Sequence, residues 1–262
     1  MDTRINRFKI ASILGYDMNS LTAVIYDTDC HVLANRALDN CIKNFKFDEV
    51  VIFSDQQEAW GDKKITMVDP ISKLGQYDNF VLNQLPNYIK TTHFLIVQFD
   101  GFIINPAQWS ELFWHYDYIG APWPQHNHGV MNVGNGGFCL RSKKLAQAVQ
   151  SFNYVFDNEK IHEDLFVCQR MRPVLESRHN CHFPHESIAS HFSAESYIYR
   201  YPTFGFHNIR FMPMVYQDQL DFLLDHLSDR VIKAHGNLMM PYMQQISKVH
   251  TEKLQQKINQ LA

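Results

Sequence analysis

The feature that most limits what this chain can fold into is an alternation of apolar strands and helices between residues 21 and 100. Three short runs rich in β-branched and apolar residues are predicted to be strands: "LTAVIYDT" (21–28), "EVVIFSD" (49–55) and "HFLIVQFD" (93–100). After the first strand, apolar residues at three- and four-residue steps predict a helix with one buried face: Leu33, Ala37, Leu38, Cys41, Ile42 and Phe45. Before the third strand, "YDNFVLNQLPNYI" (77–89) predicts a second helix, which Pro86 should end or kink.

Continuous apolar strands that alternate with helices are typical of an α/β fold, in which helices cover both faces of a mostly parallel sheet. A further strand is predicted earlier, at "FKIASILG" (8–15). Ligands of such sheets bind beyond the carboxyl ends of the strands. In this chain those ends carry polar residues: Asp27-Thr28, Ser54-Asp55, and Gln98 with Asp100. We expect a binding site there, although Asp and Ser also favour the turns that follow strands.

A block rich in aromatic residues, glycine and proline follows the third strand: "NPAQWSELFWHYDYIGAPWPQHNHGVMNVGNGGFCLRS" (105–142). Long loops in compact domains are usually functional. The "VGNGGF" within it lacks the G-x-G-x-x-G spacing of a dinucleotide-binding turn, which excludes that class. Its glycines let the backbone approach a ligand closely. Trp109, Trp114 and Trp123 offer faces for a sugar, although packing explains Trp109 and Trp114 equally well.

Two later stretches carry candidate catalytic and metal-binding side chains. In "NEKIHEDLFVCQRMRPVLE" (158–176), Glu163 and Asp164 come at the start of a predicted helix. Acidic residues there often only complement the helix dipole, but a carboxylate at the edge of a cleft can also act as a general base. In "TFGFHNIRF" (203–211), His207 follows an aromatic-glycine turn. If the fold returns His207 to the rim of Asp100, the two side chains can share a metal ion.

Composition argues against several other classes of protein. The net charge of −3, without a basic block, does not suggest a nucleic-acid partner. No apolar run is long enough for a membrane-spanning helix, and "MDTRINRFKI" lacks the apolar core of a signal peptide. The five cysteines form no zinc or disulfide pattern, so we expect reduced thiols in the cytoplasm. Pro184 interrupts a group of four histidines and disfavours a zinc site there: His179, His182, His185 and His191.

Beyond an α/β domain at 1–214, the C-terminal extension (215–262) is predicted to hold two amphipathic helices. One carries the stripe Leu220, Leu223, Leu224, Leu227 and Val231, and the other carries Ile246, Val249, Leu254, Ile258 and Leu261. Most such stripes pack into a core or against a partner. The last helix is therefore a candidate contact for a homodimer, or a segment that lies on a membrane surface.

The order of several motifs resembles that of a known family. The motifs are "THFLIVQFDGFIINPAQW", "YDYIGAPWP", "VGNGGFCLRS", "HEDLFVC", "FSAESYIY" and "FGFHN". They are similar to those of a family found mostly in bacterial surface-polysaccharide gene clusters and commonly regarded as glycosyltransferases of the GT-A type. The resemblance runs from about Leu21 to Asn208. It leaves out the N-terminal segment and most of the C-terminal extension.

The resemblance implies a GT-A-like domain that binds a nucleotide-sugar donor together with Mn²⁺ or Mg²⁺. GT-A enzymes generally carry Asp-x-Asp at the end of a central strand, and the matching position here reads Gln98-Phe99-Asp100, without the first carboxylate. Asp100 would then be a direct metal ligand, and Gln98 would face the ribose or a metal-bound water. His207 occupies the place of a second ligand. Thr28 and Asp55 complete the predicted donor-binding set: Thr28, Asp55, Gln98 and Asp100.

On the acceptor side, "GNGGF" followed by "HED" resembles the acceptor loop and the acidic motif of inverting GT-A enzymes. By that comparison Asp164 is the base that takes the proton of the acceptor hydroxyl, and Glu163 is the reserve candidate. The residues expected to contact the acceptor are Trp123, Asn135 and Gly136.

The sequence therefore predicts an enzyme that transfers a sugar from a nucleotide donor to a glycan or lipid-linked glycan. The expected setting is the synthesis of a surface polysaccharide, either lipopolysaccharide O-antigen or capsule, in the cytoplasm or at the inner face of the inner membrane. Two alternatives stay open because the first carboxylate is missing. One is a non-catalytic relative that binds a nucleotide sugar or glycan, and the other is a nucleotidyltransferase or nucleotide-sugar hydrolase that uses the same rim.

Overall fold

A computed structural model of the chain describes residues 19–73, 75–124, 131–156, 161–199 and 201–261. The strand predicted at 8–15 lies outside the described residues. Every residue predicted above to belong to the donor, acceptor, metal or catalytic site lies within them.

The described residues form nine strands: β1 (Leu21–Tyr26), β2 (Glu49–Ser54), β3 (Thr66–Met67), β4 (His93–Val97), β5 (Gly101–Ile103), β6 (Tyr118–Ile119), β7 (Cys139–Ser142), β8 (Ser193–Ala194) and β9 (Gly205–His207). Six of them make the central sheet, in the order β3-β2-β1-β4-β7-β6. The four strands from β3 to β4 run parallel, whereas β7 pairs antiparallel with both β4 and β6. The prediction of a mostly parallel sheet is confirmed.

Ten α-helical segments are described: α1 (His31–Asn44), α2 (Gln76–Asn79), α3 (Lys143–Gln150), α4 (Glu163–Leu165), α5 (Arg172–His179), α6 (Glu186–Phe192), α7 (Met212–Val215), α8 (Leu220–His226), α9 (Asp229–Ile246) and α10 (Lys248–Leu261). Short π-helical segments continue α2 and α4: Phe80–Gln84 and Phe166–Arg170. The buried side chains of β1 alternate between two apolar cores, with Ala23 in one core and Val24 in the other. Helices therefore cover both faces of the sheet, as the continuous apolar strands predicted.

The two helices predicted between the strands are present, with one correction. The predicted face of α1 is buried at Leu33, Ala37, Leu38 and Cys41, but Ile42 is 38% exposed because it lies on the flank of the helix. Pro86 falls in the 3₁₀ turn Leu85–Asn87, at which the second helical stretch ends. A proline is tolerated in the first turn of such a segment, where its missing N–H leaves no hydrogen bond unmade.

The C-terminal extension differs from the prediction because it contains three helices where two were expected. The first stripe is divided between α8 and α9, since the chain is extended at Leu227 and Ser228 caps the next helix by accepting from the Val231 N–H. The second stripe is also divided, because Ile246 ends α9. Leu254 is fully buried, whereas Val249 is 60% exposed. Both stripes pack mainly into the chain's own core, so they are no reason to expect a dimer. None of the described helices is long and apolar enough to span a bilayer.

A second, three-stranded sheet, in the order β5-β9-β8, lies at the end of β4 and returns the late part of the chain to Asp100. In it Gly101 is opposite His207, and Ala194 is beside Phe206. The residue after Ala194 is Glu195, which therefore follows β8 next to His207. This small sheet brings residues that are about a hundred positions apart into one site.

Candidate active site

The apolar strand β4 ends in a tight turn that presents Asp100. The Gln98 N–H donates to the carbonyl of Gly101 at 2.8 Å, and the Gly101 N–H donates to the carbonyl of Gln98 at 3.0 Å. A side chain on Gly101 would press against the His207 ring and the backbone of Gly137. The turn therefore places the Asp100 carboxylate at the carboxyl edge of the parallel strands, where α/β sheets bind ligands.

His207 lies at the centre of a group of three carboxylates. Its Nε2 is 3.7 Å from Asp100 Oδ1, and its Nδ1 is 3.8 Å from Glu195 Oε1. Asp164 is close enough for its charge to act on the ring as well. Burial lowers the pKa of His207, but the charges of Asp100, Glu195 and Asp164 outweigh burial, so the pKa is raised above its ordinary value.

Asn135 fixes the orientation of the His207 ring. Its Oδ1 accepts from the backbone N–H groups of Gly137 and Phe138, at 3.0 and 3.3 Å. Because a backbone N–H can only donate, the amide nitrogen must face the other way, where it lies 2.8 Å from His207 Nδ1. Nδ1 therefore accepts this hydrogen bond. The hydrogen of the neutral ring is then on Nε2, which lies 3.3 Å from Gln98 Oε1.

This geometry disfavours two of the sequence-based assignments. In the tautomer that Asn135 selects, Nε2 carries the hydrogen and donates to Gln98 Oε1, so the ring has no free lone pair for a metal ion shared with Asp100. Asn135 is 2% exposed, and both ends of its amide are bonded within the protein. It therefore positions His207, and we do not expect it to contact an acceptor directly. Asn135 has a φ of 66°, in the left-handed region that Asn tolerates better than most residues.

Asp164 lies beside the glycine-rich loop, next to this group. Its Oδ2 accepts from the Gly136 N–H at 3.1 Å, and its Oδ1 accepts from the Leu165 N–H at 2.7 Å. Burial raises the pKa of Asp164, while these two N–H groups and the charge of Arg141 oppose the rise. The three α-helical residues that begin here continue into the π-helical segment Phe166–Arg170, so Asp164 lies in the first turn of a helical stretch, where the helix dipole also favours the ionised carboxylate.

Glu163, the reserve candidate for the base, is instead part of a buried ion pair. It is 2% exposed, and its Oε1 accepts from the Arg141 guanidinium at 2.7 Å. Arg141 is 3% exposed and lies over the ring of Tyr118, 4.7 Å from its centre. A side chain on Gly136 would overlap Glu163 Oε1, so the loop seals this pair from the cleft. Its burial and its pairing with Arg141 disfavour Glu163 as a base, and Gly136 packs against Glu163 and donates its N–H to Asp164.

The two donor-side residues of the earlier strands lie on the same edge of the sheet but apart from this group. Asp55 Oδ1 is 2.6 Å from His31 Nε2, and Thr28 Oγ1 accepts from the Ile71 N–H at 3.2 Å. Because β1 separates β2 from β4, Asp55 is displaced from the end of β4 by two strand spacings, roughly 10 Å. The edge is therefore wide enough for an extended ligand such as a nucleotide diphosphate.

A cleft of about 580 Å³ opens at Asp100 and has a wall that the sequence did not predict. Gln98, Asp100 and His207 line one side, and α9 supplies Arg230 and His235 on the other. The N-terminus of α9 is tied to the sheet because Asp29 Oδ2 accepts from Ser228 Oγ and from Arg230 Nε, both at 2.9 Å. The C-terminal extension thus contributes basic side chains to the cleft in which Asp100 lies.

The described residues fit a divalent cation in a limited way. No group of three or more His, Cys, Asp or Glu side chains in the described part of the chain is arranged to hold a metal ion. Magnesium in nucleotide enzymes typically takes one or two carboxylates and completes its shell with water and substrate phosphates. Asp100 fits that role, with a cation that binds together with a diphosphate.

Glu195 is the site residue that sequence reasoning missed. Its Oε2 is buried and has no hydrogen-bond partner among the described residues. The motif "FSAESYIY" contains it, but nothing in the local pattern marks it as part of a site. Its position follows from the pairing of β8 with β9, which is a contact between distant parts of the chain.

Comparison with known proteins gives a family. A family model described as "Protein of unknown function (DUF5672)" matches residues 65–207, which is more than half of the chain. The chain belongs to DUF5672. The match to DUF5672 includes all three carboxylates around His207, whereas Thr28 and Asp55 precede it. A search of curated protein sequences finds no match.

Several solved structures are similar to this DUF5672 chain at low identity. A mannosyltransferase from Pyrobaculum calidifontis, in complex with GDP-Man and Mn²⁺, is 13% identical over 56% of this chain and 50% of that one, with a TM-score of 0.39. A glucosyl-3-phosphoglycerate synthase from Mycobacterium tuberculosis, in complex with Mn²⁺ and UDP-glucose, is 9% identical over 54% and 61%, with a TM-score of 0.35. The chain thus spans about half to three fifths of their lengths. With TM-scores this low, the similarity does not indicate which residues form the site.

Proposed function

We propose that the chain is a GT-A-like glycosyltransferase that moves a sugar from a nucleotide donor to a hydroxyl group of an acceptor. One observation carries the proposal. At the carboxyl edge of a parallel sheet, Asp100 and Asp164 both lie beside a buried glycine-rich loop, and the charges of both act on His207. Sugar transfer requires charge stabilisation on the leaving diphosphate and a base for the acceptor hydroxyl, and the two carboxylates suit these two tasks.

We assign the donor to the cleft of about 580 Å³ at Asp100. A divalent cation, Mn²⁺ or Mg²⁺, would neutralise charge on the diphosphate when bound, and Asp100 is the side chain that would hold it. The Nε2–H of His207 is directed to the same place and can donate to a phosphate oxygen. Thr28 and Asp55 lie along the same edge, at the distance where the nucleoside end of the donor would lie.

We assign the general base to Asp164, with Glu195 as a competitor. Each Asp164 oxygen accepts one backbone N–H and keeps a lone pair for a substrate hydroxyl. Its raised pKa brings a carboxylate closer to neutral pH, which is favourable for general-base catalysis. Glu195 competes because it has one buried oxygen without a partner in the described part of the chain. A base opposite the leaving group would make the reaction inverting.

The biological setting is proposed from the motif resemblance alone. It points to a glycan or lipid-linked acceptor in the synthesis of a surface polysaccharide such as lipopolysaccharide O-antigen or capsule. We propose that the enzyme works in the cytoplasm, at the inner face of the membrane that carries such acceptors.

One feature favours a second candidate, a non-catalytic protein that binds nucleotide sugars. The turn after β4 carries a single carboxylate where GT-A enzymes generally have two, because Gln98 takes the first place. The amide of Gln98 is held by the Tyr77 hydroxyl at 3.2 Å and by His207. With only one carboxylate from the protein, a cation would bind mainly through the phosphate oxygens of the donor. Such an arrangement is compatible with a protein that only binds the donor as well as with an enzyme.

Turnover separates the two candidates. The purified chain is incubated with a panel of nucleotide sugars and Mn²⁺, and both the released nucleotide and any glycosylated acceptor are measured. Nucleoside diphosphate with a glycosylated product supports transfer, and nucleoside diphosphate with free sugar identifies a hydrolase. Donor-dependent thermal stabilisation without release of any nucleotide would instead support the binding protein.

A further inference from the structure

A second cleft, of about 440 Å³, lies at the carboxyl ends of β1 and β3. Its volume is in the range of small-ligand sites. Three of its lining residues matter here: Tyr26, Asp69 and Tyr88. Asp69 is the one charged side chain among the described residues that line it. Because phosphate sites generally carry arginine or lysine, this cleft suits a part of a ligand that has no phosphate.

The cleft is within reach of a ligand that is bound at Asp100. It begins at β1, one strand spacing or about 5 Å from β4, and extends to β3, three spacings or about 14 Å away. Tyr77 links the two places, because its hydroxyl accepts from Gln98 Nε2 at 3.2 Å and its ring meets Tyr26 edge-on, with centres 5.7 Å apart. A nucleotide with its diphosphate at Asp100 can therefore place its base in this cleft.

The aromatic walls of the cleft are fixed by packing. The rings of Tyr26 and Tyr88 both contact the fully buried Phe53, with centres 6.1 and 4.9 Å away. Tyr26 also packs on Phe80 at 4.8 Å. Rings that are held before a ligand arrives lose little entropy when it binds. Because every base has an aromatic face, these rings provide affinity for a base without choosing among bases.

Asp69 is held at the open side of the same cleft. The Val68 N–H donates to the carbonyl of Ser54 at 3.1 Å, and the Tyr26 hydroxyl donates to the carbonyl of Asp69 at 3.3 Å. Asp69 itself is exposed. Burial, followed by the charges of Asp69 and Asp55, raises the pKa of Tyr26. The Asp69 carboxylate therefore lies close enough to act on the aromatic wall.

A carboxylate at this place discriminates among bases, because an ionised carboxylate can only accept hydrogen bonds. The Watson–Crick edge of guanine offers two neighbouring donors, N1–H and the 2-amino group. Uracil and thymine offer one N–H between two carbonyl oxygens, and adenine and cytosine place an acceptor nitrogen beside the amino group. Guanine is thus the common base that a carboxylate can bind through two hydrogen bonds.

We propose that this cleft binds the base of the donor and that Asp69 selects guanine. The proposal rests on the proposed function, because it takes the diphosphate of the donor to lie at Asp100. The Asp69 carboxylate accepts from N1–H and from the 2-amino group, while Tyr26 and Tyr88 contact the base. The acceptor is not involved, since Trp123, which the sequence predicts to contact it, lines a separate cleft with Tyr199.

The test measures binding of nucleoside diphosphates, without any sugar or acceptor. GDP, UDP, dTDP, ADP and CDP are titrated into the full chain by calorimetry in the presence of Mn²⁺. GDP should bind at least about tenfold more tightly than each of the others, because a bidentate contact to one base discriminates by about that factor or more. Equal binding of any other diphosphate, or no binding by GDP, overturns the proposal.

A change of specificity assigns the binding to Asp69. Asp69→Asn has the same shape, but its amide donates one hydrogen bond where the carboxylate only accepts. It should weaken GDP at least about tenfold and strengthen XDP by a similar factor, because xanthine has a carbonyl in place of the 2-amino group. Asp62→Asn, at an exposed position outside the cleft, is the matched control and should bind both like the parent. An Asp69→Asn variant that still prefers GDP to XDP rejects the assignment.

Failure of this inference and failure of the proposed function give different results. If GDP binds selectively and Asp69→Asn exchanges it for XDP, but no nucleotide sugar is turned over, glycosyl transfer is wrong and the guanine site stands. If nucleotide sugars with another base are turned over while those of guanine are not, transfer stands and this site is wrong.

Discussion

Two groups of charged side chains lie on opposite sides of the same glycine-rich loop, and they are built in opposite ways. The sealed group contains Arg141 and Glu163, which are almost fully buried and neutralise each other at 2.7 Å. The open group contains three carboxylates around His207: Asp100, Asp164 and Glu195. The sealed group has its charges compensated within the chain, whereas the open group carries more negative charge than its one histidine can balance.

The difference between the groups indicates that the sealed pair stabilises the fold and that the open carboxylates act in the reaction. Three carboxylates near one imidazole are unfavourable in the free protein, and a fold keeps such an arrangement where a cation or a cationic transition state compensates it. Two consecutive glycines divide the groups, since a side chain on Gly136 would overlap Glu163 and one on Gly137 would overlap His207. We therefore expect substitutions in the open group to change turnover, and substitutions in the sealed group to change stability.

The largest expected effect is on the general base. Asp164→Asn should lower turnover by about 10²–10⁴-fold, because the amide cannot take the proton of the acceptor hydroxyl. Donor affinity, measured by calorimetry, should barely change. Glu195→Gln is the competing variant and should be milder, within about tenfold. If the ranking is reversed, the base is Glu195, and Asp164 only orients the loop through the Gly136 N–H.

The next effect concerns Asp100. Asp100→Asn should lower turnover by about 10²–10³-fold and remove metal-dependent stabilisation by the donor, because the amide is a poor ligand for a hard cation. The melting temperature without ligand should stay the same or rise, since one of three repelling carboxylates is gone. Asp62→Asn, at an exposed position outside the cleft, is the control and should leave both properties unchanged. Unaltered donor affinity and metal response in Asp100→Asn would remove Asp100 from the donor site.

The sealed group should show the opposite behaviour. Arg141→Met leaves Glu163 buried without its partner, so the free energy of unfolding should fall by about 3–5 kcal/mol in chemical denaturation. Combining Arg141→Met with Glu163→Leu should restore much of the loss, because the pair is then replaced by apolar side chains. An unfolding midpoint of Arg141→Met equal to that of the parent would show that the pair does not stabilise the fold.

The two glycines allow a matched comparison of smaller effects. Neither glycine has a φ in the left-handed region, so each substitution tests mainly the space for one methyl group. Gly136→Ala should displace Glu163 and lower the free energy of unfolding by about 1–3 kcal/mol. Gly137→Ala should displace His207 and Gln98 and act mainly on donor binding and turnover. If both variants lose stability and turnover to the same extent, the sealed group and the open group do not have separate roles.

The fold could be predicted from the sequence further than the site could. The alternation from β1 to β4 is local, because each apolar run and each helical stripe shows its own period. Asp100 and His207 could be named as site residues because one ends a strand and the other follows a glycine turn. The tautomer of His207 depends on how Asn135 meets two backbone N–H groups, and no sequence pattern encodes that.

Two other features were missed because they depend on distant contacts, and a third was missed although a local signal was present. The Arg141–Glu163 pair joins β7 to α4, and a buried ion pair has no pattern of its own along the chain. Glu195 reaches the site through the β8–β9 register. Local signals did exist for the break between α8 and α9, since Ser228 followed by Asp229 is a helix start, but the leucine stripe runs through it.

The smallest expected effect is the pH dependence of the Asp164 carboxyl, and its sign follows from burial. Burial raises the folded-state pKa of Asp164 above the unfolded value of about 3.9. The folded protein therefore binds this proton more tightly, and the contribution of Asp164 to stability falls as pH rises from the unfolded pKa through the folded one. Turnover moves in the opposite direction, because the base must be ionised and activity is lost as pH falls through the raised pKa.

Two measurements on one pair of proteins check this sign. The difference in unfolding free energy between the parent and Asp164→Asn should decline with rising pH across that window and become constant above it. The acid limb of the parent's kcat profile should lie above the ordinary aspartate range. A stability difference that instead grows with pH would mean that the N–H groups of Gly136 and Leu165 outweigh burial and keep Asp164 ionised. Asp164 would then be the weaker of the two candidate bases, and Glu195, whose Oε2 has no hydrogen-bond partner among the described residues, would be favoured.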